Sequence, residues 1–194
     1  MSERADAARN RAAVLRAASR LFDDSAEPGD VSMDDIARAA GVGKGTLFRR
    51  FGDRSALLSA VYDERLAGLR KAIATGRPPL GPKTPPTERI IAMLDAIVAF
   101  KLDNRRLVLA IERLSGGGPA SLYDAPQYTE IHRLVAQLLG ELGWPQDVSW
   151  TAHALLAATR IDLIDYLVTH GGRSGRSIRA DLRAYAGRLL GQQQ

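Results

Sequence analysis

Residues 33–58 place two short amphipathic patterns, a glycine-bearing turn and a cluster of positive charge in one compact run, Met-Asp-Asp-Ile-Ala-Arg-Ala-Ala-Gly-Val-Gly-Lys-Gly-Thr-Leu-Phe-Arg-Arg-Phe-Gly-Asp-Arg-Ser-Ala-Leu-Leu. Ile36, Ala37 and Ala40 recur at helical steps, and so do Leu47 and Phe51. Ser32 suits an N-cap, and Asp34 and Asp35 fall where the positive end of a helix favours carboxylates. Gly41 is placed for a left-handed C-cap; a second helix covers about 43–51, and Gly52 stops it. Two helices joined by a short glycine turn form a helix-turn-helix. Val42, Leu47 and Phe51 pack beneath the second helix, so Lys44, Thr46, Phe48, Arg49 and Arg50 are left exposed. Arg54 stands beside them at the start of the next helix. From Arg38 to Arg54, five basic residues face one acid, Asp53.

This placement of charge points to nucleic acid. Lysine and arginine neutralise phosphates and release counterions, helix N-termini offer amides to phosphate oxygens, and the second helix is short enough to enter a major groove end-on. Gly43-Lys44-Gly45-Thr46 also resembles the end of a phosphate-binding loop. That pattern demands a glycine where Arg38 stands, and a buried strand where Met33 to Ala40 reads as a charged helix. A solvated basic face on an ordinary helical bundle is the other alternative, and the coincidence of turn and charge cluster argues against it. The global charge says less. It is +5 with a pI near 9.9, but only four of 27 basic residues are lysine, an arginine bias that a GC-rich genome also produces.

The 194 residues suit one domain, or a small domain joined to a larger one, and 45% apolar content is enough for a real core. With no cysteine, disulfides, thiolate metal sites and cysteine nucleophiles are excluded. Arg4, Arg9, Arg11, Arg16 and Arg20 interrupt the N-terminal segment, and no apolar run approaches the ~20 residues that span a bilayer. No membrane partner and a cytoplasmic location are therefore expected.

Helical periodicity dominates, predicting an all-α chain of about nine helices. A first helix runs from about Ala7 to Phe22, and Asp23 to Asp30 breaks it, with Pro28-Gly29 as punctuation. Asp53 caps a fourth helix reaching about Thr75. Arg77 to Pro86 is proline-rich and cannot continue a helix. The expected organisation is a helix-turn-helix head at 1–52, a connecting helix at 53–76, a linker at 77–86 and a helical body at 87–194. In the body, Thr87 caps a helix to about Leu102 and Asn104 opens another through Leu114. Ser115 to Pro119 is a break. Further helices cover about 126–142, 147–170 and 177–190, the third last of all after a loop at Gly171 to Gly175.

The first ~75 residues resemble the DNA-binding domain of tetracycline-repressor (TetR/AcrR) family regulators. The matching residues are Ile36-Ala37, Ala40-Gly41-Val42, Lys44-Gly45-Thr46-Leu47-Phe48, Phe51, and Arg54 followed by Ala56-Leu57-Leu58. The resemblance implies a three-helix head, a fourth helix leading to a ligand-binding body, and a homodimer reading a palindromic double-stranded operator, usually as a repressor released by a small molecule. It puts Lys44, Gly45 and Arg49 nearest base edges and Thr46, Phe48 and Arg54 along the phosphate backbone; Ser32, Met33, Gly43 and Arg50 complete the candidate DNA-binding set. The family often has serine at Gly43 and usually tyrosine at Phe48, so two hydroxyl contacts are missing. Phe48 can still meet a thymine methyl, and arginine can read guanine with two hydrogen bonds; the sequence does not say whether Arg49 or Arg50 does so. Arg9, Arg11 and Arg16 fall near the first helix's N-terminal end, as flanking phosphate contacts or as a solvated face.

The second half matches no specific motif. Candidate residues lining a site for a small apolar or amphipathic effector are Met93, Ile97, Phe100, Leu107, Ile111, Tyr128, His132, Trp150, His153 and Thr159, each with plain core as the alternative. Leu155, Leu163, Tyr166, Leu167, Ile178, Leu182, Tyr185, Leu189 and Leu190 can fill a seam between two copies. Arg160, Asp162 and Asp165 interrupt the apolar 147–170 helix and require pairing if buried. The three histidines lack metal-ligand spacing and no nucleophile elbow exists, so neither enzyme activity nor a cofactor is expected. The alternatives to a repressor are an activator of the same family and a DNA-independent helical small-molecule-binding protein.

Overall fold

In the computed structural model, residues 2–25, 31–114 and 123–191 are described, with side chains from residue 7 onward. The described residues form ten helices: α1 Ser2–Asp24, α2 Met33–Ala40, α3 Lys44–Phe51, α4 Arg54–Thr75, α5 Pro86–Asp103, α6 Arg105–Leu114, α7 Pro126–Glu141, α8 Val148–Ala157, α9 Ile161–Thr169 and α10 Gly175–Gly191. Among the described residues there are no strands. The expected breaks at Pro28-Gly29 and Ser115 to Pro119 lie outside the described residues.

The chain forms two compact units, Met1–Ala67 with Arg106–Gly117 and Gly68–Arg105 with Gly118–Gln194. The core of the first is built from Val14, Leu15, Ala18 and Phe22 of α1, Met33, Ile36 and Ala37 of α2, Leu47 and Phe51 of α3, and Leu57, Leu58 and Val61 of α4, joined by Leu107 of α6. These are the apolar positions of the helical pattern. Burying each side chain contributes about 1.5–3 kcal/mol against conformational entropy. Arg65 reinforces the packing of α4 on α1, its guanidinium donating to the Ser19 hydroxyl and carbonyl at 3.0 Å and to Asp23 at 2.9 Å.

In the second unit, α10 packs on α5, and α7 packs on α8 and α5. Asp95 of α5 accepts from Arg179 Nη2 at 2.6 Å and Nε at 3.0 Å, and from Arg183 Nη1 at 2.6 Å. Burial pushes this carboxyl up, but the hydrogen bonds from the two arginines outweigh it and hold it below the usual value of 3.8. A depressed carboxylate gives stability that is present above its unfolded pKa and lost as pH falls through its folded pKa. Asp95→Asn is expected to lower stability at neutral pH by roughly 1–2 kcal/mol, the scale of charged hydrogen bonds on part-exposed arginines. In urea unfolding, the gap between variant and wild type should close below about pH 4; a gap constant with pH would count against the ion pair.

The proline-rich run 77–86 lies within the second unit. There the buried Arg89 donates to the carbonyls of Ile73 at 2.8 Å and Leu80 at 3.0 Å. Pro86 opens α5 from its first turn, where a missing amide costs nothing, so Thr87 is not the cap. Asn104 closes α5 rather than opening α6, its side chain donating to the Phe100 carbonyl.

The single helix expected at 147–170 is two helices. At the break, the Thr159 hydroxyl donates to the Leu156 carbonyl at 2.8 Å, and Lys101 Nζ of α5 donates to the Thr159 carbonyl at 2.8 Å. Arg160 takes an extended conformation before α9 and pairs with Asp162 at 2.6 Å, while Asp165 pairs with Arg105 at 2.5 Å. All three charges in this segment thus have partners.

Candidate nucleic-acid interface

Ser32 caps α2 as the sequence suggests. Its hydroxyl accepts from the Asp35 amide at 3.1 Å while Asp35 accepts from the Ser32 amide at 3.2 Å, satisfying two helix-end donors reciprocally. The hydrogen bonds from Ser32 hold the Asp35 carboxyl below its usual range, with Arg38 adding to the effect. Met33 is buried in the core. Gly41 ends α2 at φ 66°, a left-handed conformation costly for a residue with a Cβ, and its amide returns to the Ala37 and Arg38 carbonyls. The chain then re-enters a helix at Lys44. Leu47 and Phe51 point into the core and turn the opposite face of α3 to solvent.

That face carries Lys44, Gly45, Phe48 and Arg49, all exposed, with Thr46 half-buried beside them. Phe48 is 39% exposed, a costly position for an aromatic ring that finds no place in the core. Gly45 lies inside α3, where glycine costs about 1 kcal/mol relative to alanine. A Cβ built there meets nothing within 4 Å, so the chain's own packing does not require the glycine. A bare helix surface that the fold does not demand suits close approach by another molecule. Gly43 precedes α3 with no side-chain cap, so no hydroxyl stands at the family's serine position.

The two adjacent arginines separate. Arg50 Nη1 donates to the Ala7 carbonyl at 2.6 Å, fastening α3 to α1. Arg49 faces solvent. Arg11 sits over the Phe51 ring at 5.0 Å, on the same α1–α3 seam. Arg54 is half-buried. Lys44 Nζ lies 2.8 Å from Asp34, a residue that reads in the sequence only as a favourable charge for the α2 dipole. Spacing across a helix-turn-helix is the signal that could have paired them.

The family model for bacterial regulatory proteins of the tetR family matches residues 14–61, the span from mid-α1 through the first two turns of α4. The chain belongs to the tetR family. This tetR-family chain is 31% identical over 128 residues to an HTH-type transcriptional regulator of Staphylococcus aureus strain bovine RF122 / ET3-1, a match covering 66% of each protein, just under two thirds. A second regulator, from S. aureus strain USA300, is 30% identical over 129 residues with the same coverage. A TetR-like transcriptional regulator from Rhodococcus sp. RHA1 has the same fold, with a TM-score of 0.62 and 24% identity, covering 94% of this chain and 96% of its own. Thermus thermophilus FadR, a TetR family transcriptional repressor solved with lauroyl-CoA, has a TM-score of 0.65 and 21% identity over 93% and 92% of the two chains. The tetR-family chain is thus a transcriptional regulator with a DNA-binding domain, and not an enzyme.

The remaining predicted residues of the regulator divide by unit. Leu107 and Ile111 pack in the core of the first. Tyr128, His132 and His153 come together in the second: the two imidazoles stack at 3.9 Å, and the Tyr128 hydroxyl lies 2.6 Å from His153 Nδ1. Tyr123, which the sequence did not single out, meets Tyr128 and His153 edge-on. Burial and the neighbouring His132 push the His153 imidazole below its usual value against Asp147, while burial and Tyr123 push the Tyr128 phenol up against Arg160. Both shifts favour a neutral hydroxyl donating to a neutral ring.

Trp150, one turn before His153, is 68% exposed. Met93 is fully buried, Ile97 and Phe100 are half-buried, and Thr159 serves the helix break. Of the seam residues, Leu155, Ile178, Leu182 and Leu190 are buried within the chain, Leu167 and Leu189 are half-buried, and Leu163, Tyr166 and Tyr185 are exposed. Among the described residues no group of three or more His, Asp or Glu side chains could hold a metal ion, and no helix is long and apolar enough to cross a membrane.

Proposed function

We propose that the chain is a ligand-responsive repressor that binds a palindromic operator as a homodimer and is released by a small apolar or amphipathic molecule. The observation that supports this most is the solvent face of α3, where Lys44, Gly45, Phe48 and Arg49 lie together on a helix fixed from beneath by Leu47 and Phe51. In this reading Lys44, Gly45 and Arg49 approach base edges, Thr46, Phe48 and Arg54 run along the phosphates, and Gly43 leaves room for the backbone. Ser32 and Met33 set the start of α2, and Arg50 holds α3 against α1.

The functional division is a head at 1–52, the connecting segment 53–76, the proline-rich run 77–86 and a body within 87–194, with α6 contributing to the head's core. The exposed Leu163, Tyr166 and Tyr185 supply apolar surface for dimerisation. Tyr128, His132, His153 and Trp150 are the effector-contact candidates, and an acyl thioester such as the lauroyl-CoA held by the Thermus relative is a fitting first compound to test. Effector binding favours a state in which α4 tilts and the spacing of the two heads changes, and it acts only through its differential affinity for the two states.

Mobility shift on DNA upstream of the gene tests the reading. Binding is expected to weaken steeply with salt and to be reversed by the effector, with the two recognition helices spaced roughly 34–36 Å apart, one turn of DNA. No binding to any upstream fragment at low salt would sink it.

A further inference from the structure

Lys44 does not stand free on α3. Its Nζ lies 2.8 and 2.9 Å from the two carboxylate oxygens of Asp34, in the first turn of α2 on the far side of the turn. The side chains are 61% and 52% exposed. Exposed ion pairs contribute only ~0–1 kcal/mol, so stability is a weak reason for this one. The end of α2 has its capping carboxylate in Asp35. An acid beside a recognition-helix lysine also opposes phosphate binding. The chain therefore keeps a carboxylate where folding gains little from it and where general attraction to DNA is reduced by it.

We propose that Asp34 sets DNA sequence selectivity by holding Lys44 off the phosphate backbone and aiming its ammonium at a base edge. The proposal rests on the DNA reading above. An ammonium has three donors and no acceptor. Two face the oxygens of Asp34, and the third is left for an acceptor such as guanine O6 or N7. On a duplex that offers only phosphates, pairing with Asp34 cancels the charge of Lys44 and removes its share of counterion release. On a cognate site the third donor makes its base contact with the pair intact. Binding without sequence preference is thereby weakened more than binding with it.

Asp34→Asn removes the charge and keeps the shape. Affinities of wild type and D34N are measured across a salt series for a short random-sequence duplex and for a duplex that wild type enriches from a random pool. D34N is expected to bind the random duplex about fivefold more tightly near physiological salt, with a salt slope steeper by about 0.9. Its affinity for the enriched duplex should stay level or fall. Adding Lys44→Gln to D34N should return the random-duplex affinity and slope to wild-type values. An unchanged random duplex, or an equal gain on both duplexes, overturns the proposal. If wild type enriches no duplex at all, the DNA reading itself fails and the role of Asp34 fails with it.

Discussion

Replacing Lys44 and Arg49 together with glutamate is expected to abolish operator binding while leaving the fold intact. Each charge unit lost at a phosphate-facing site costs about fivefold near physiological salt, so the four units reversed here amount to several hundredfold. Both side chains are exposed on α3, and neither belongs to the core of the first unit, so helical content and thermal unfolding should match wild type. Circular dichroism and a binding titration check both halves of the prediction. Retained affinity in a folded double variant would mean that α3 is not the reading helix.

Leu107→Ala is expected to destabilise the first unit by about 2–5 kcal/mol, the range for removing a buried leucine. Leu107 is 2% exposed and packs with side chains from α1 to α4, although it lies some forty residues beyond the helix-turn-helix in the chain. Urea unfolding followed by a probe in the head measures the loss. A change under about 1 kcal/mol, coupled with weakened effector binding, would return Leu107 to the role of a lining residue.

The two substitutions mark the limits of what was legible in advance. The helix-turn-helix is read from local signals: a hydroxyl cap, carboxylates in the first turn, a left-handed glycine and apolar residues at three- and four-residue steps. Each acts over a few residues, so the pattern needs no knowledge of the rest of the chain. Leu107 carries no such signal. An apolar residue on an amphipathic helix must be buried, but its sequence does not say against what.

Arg49 and Arg50 show the same limit at finer scale. As neighbours of identical chemistry they are equivalent in the sequence. One carbonyl, that of Ala7 on α1, takes Arg50 out of the solvent face and leaves Arg49 on it. Lys44 has its partner in Asp34 for a comparable reason, since the turn at Gly41 folds α2 back beside α3.

The break at Thr159 is the remaining case. Ala157-Ala158-Thr159-Arg160 contains neither glycine nor proline, and helical periodicity runs through it without interruption. The interruption comes from Lys101, whose ammonium takes the Thr159 carbonyl, and from Asp162 and Arg105, which hold the charges of the following turn.

The sequence by itself determined the all-α class, the helix-turn-helix and the basic face that meets DNA, because periodicity, capping and charge are local properties. The tertiary structure alone decided which arginine stays free to read, which unit Leu107 supports and where the apolar helix breaks, because each depends on a partner brought close only by folding.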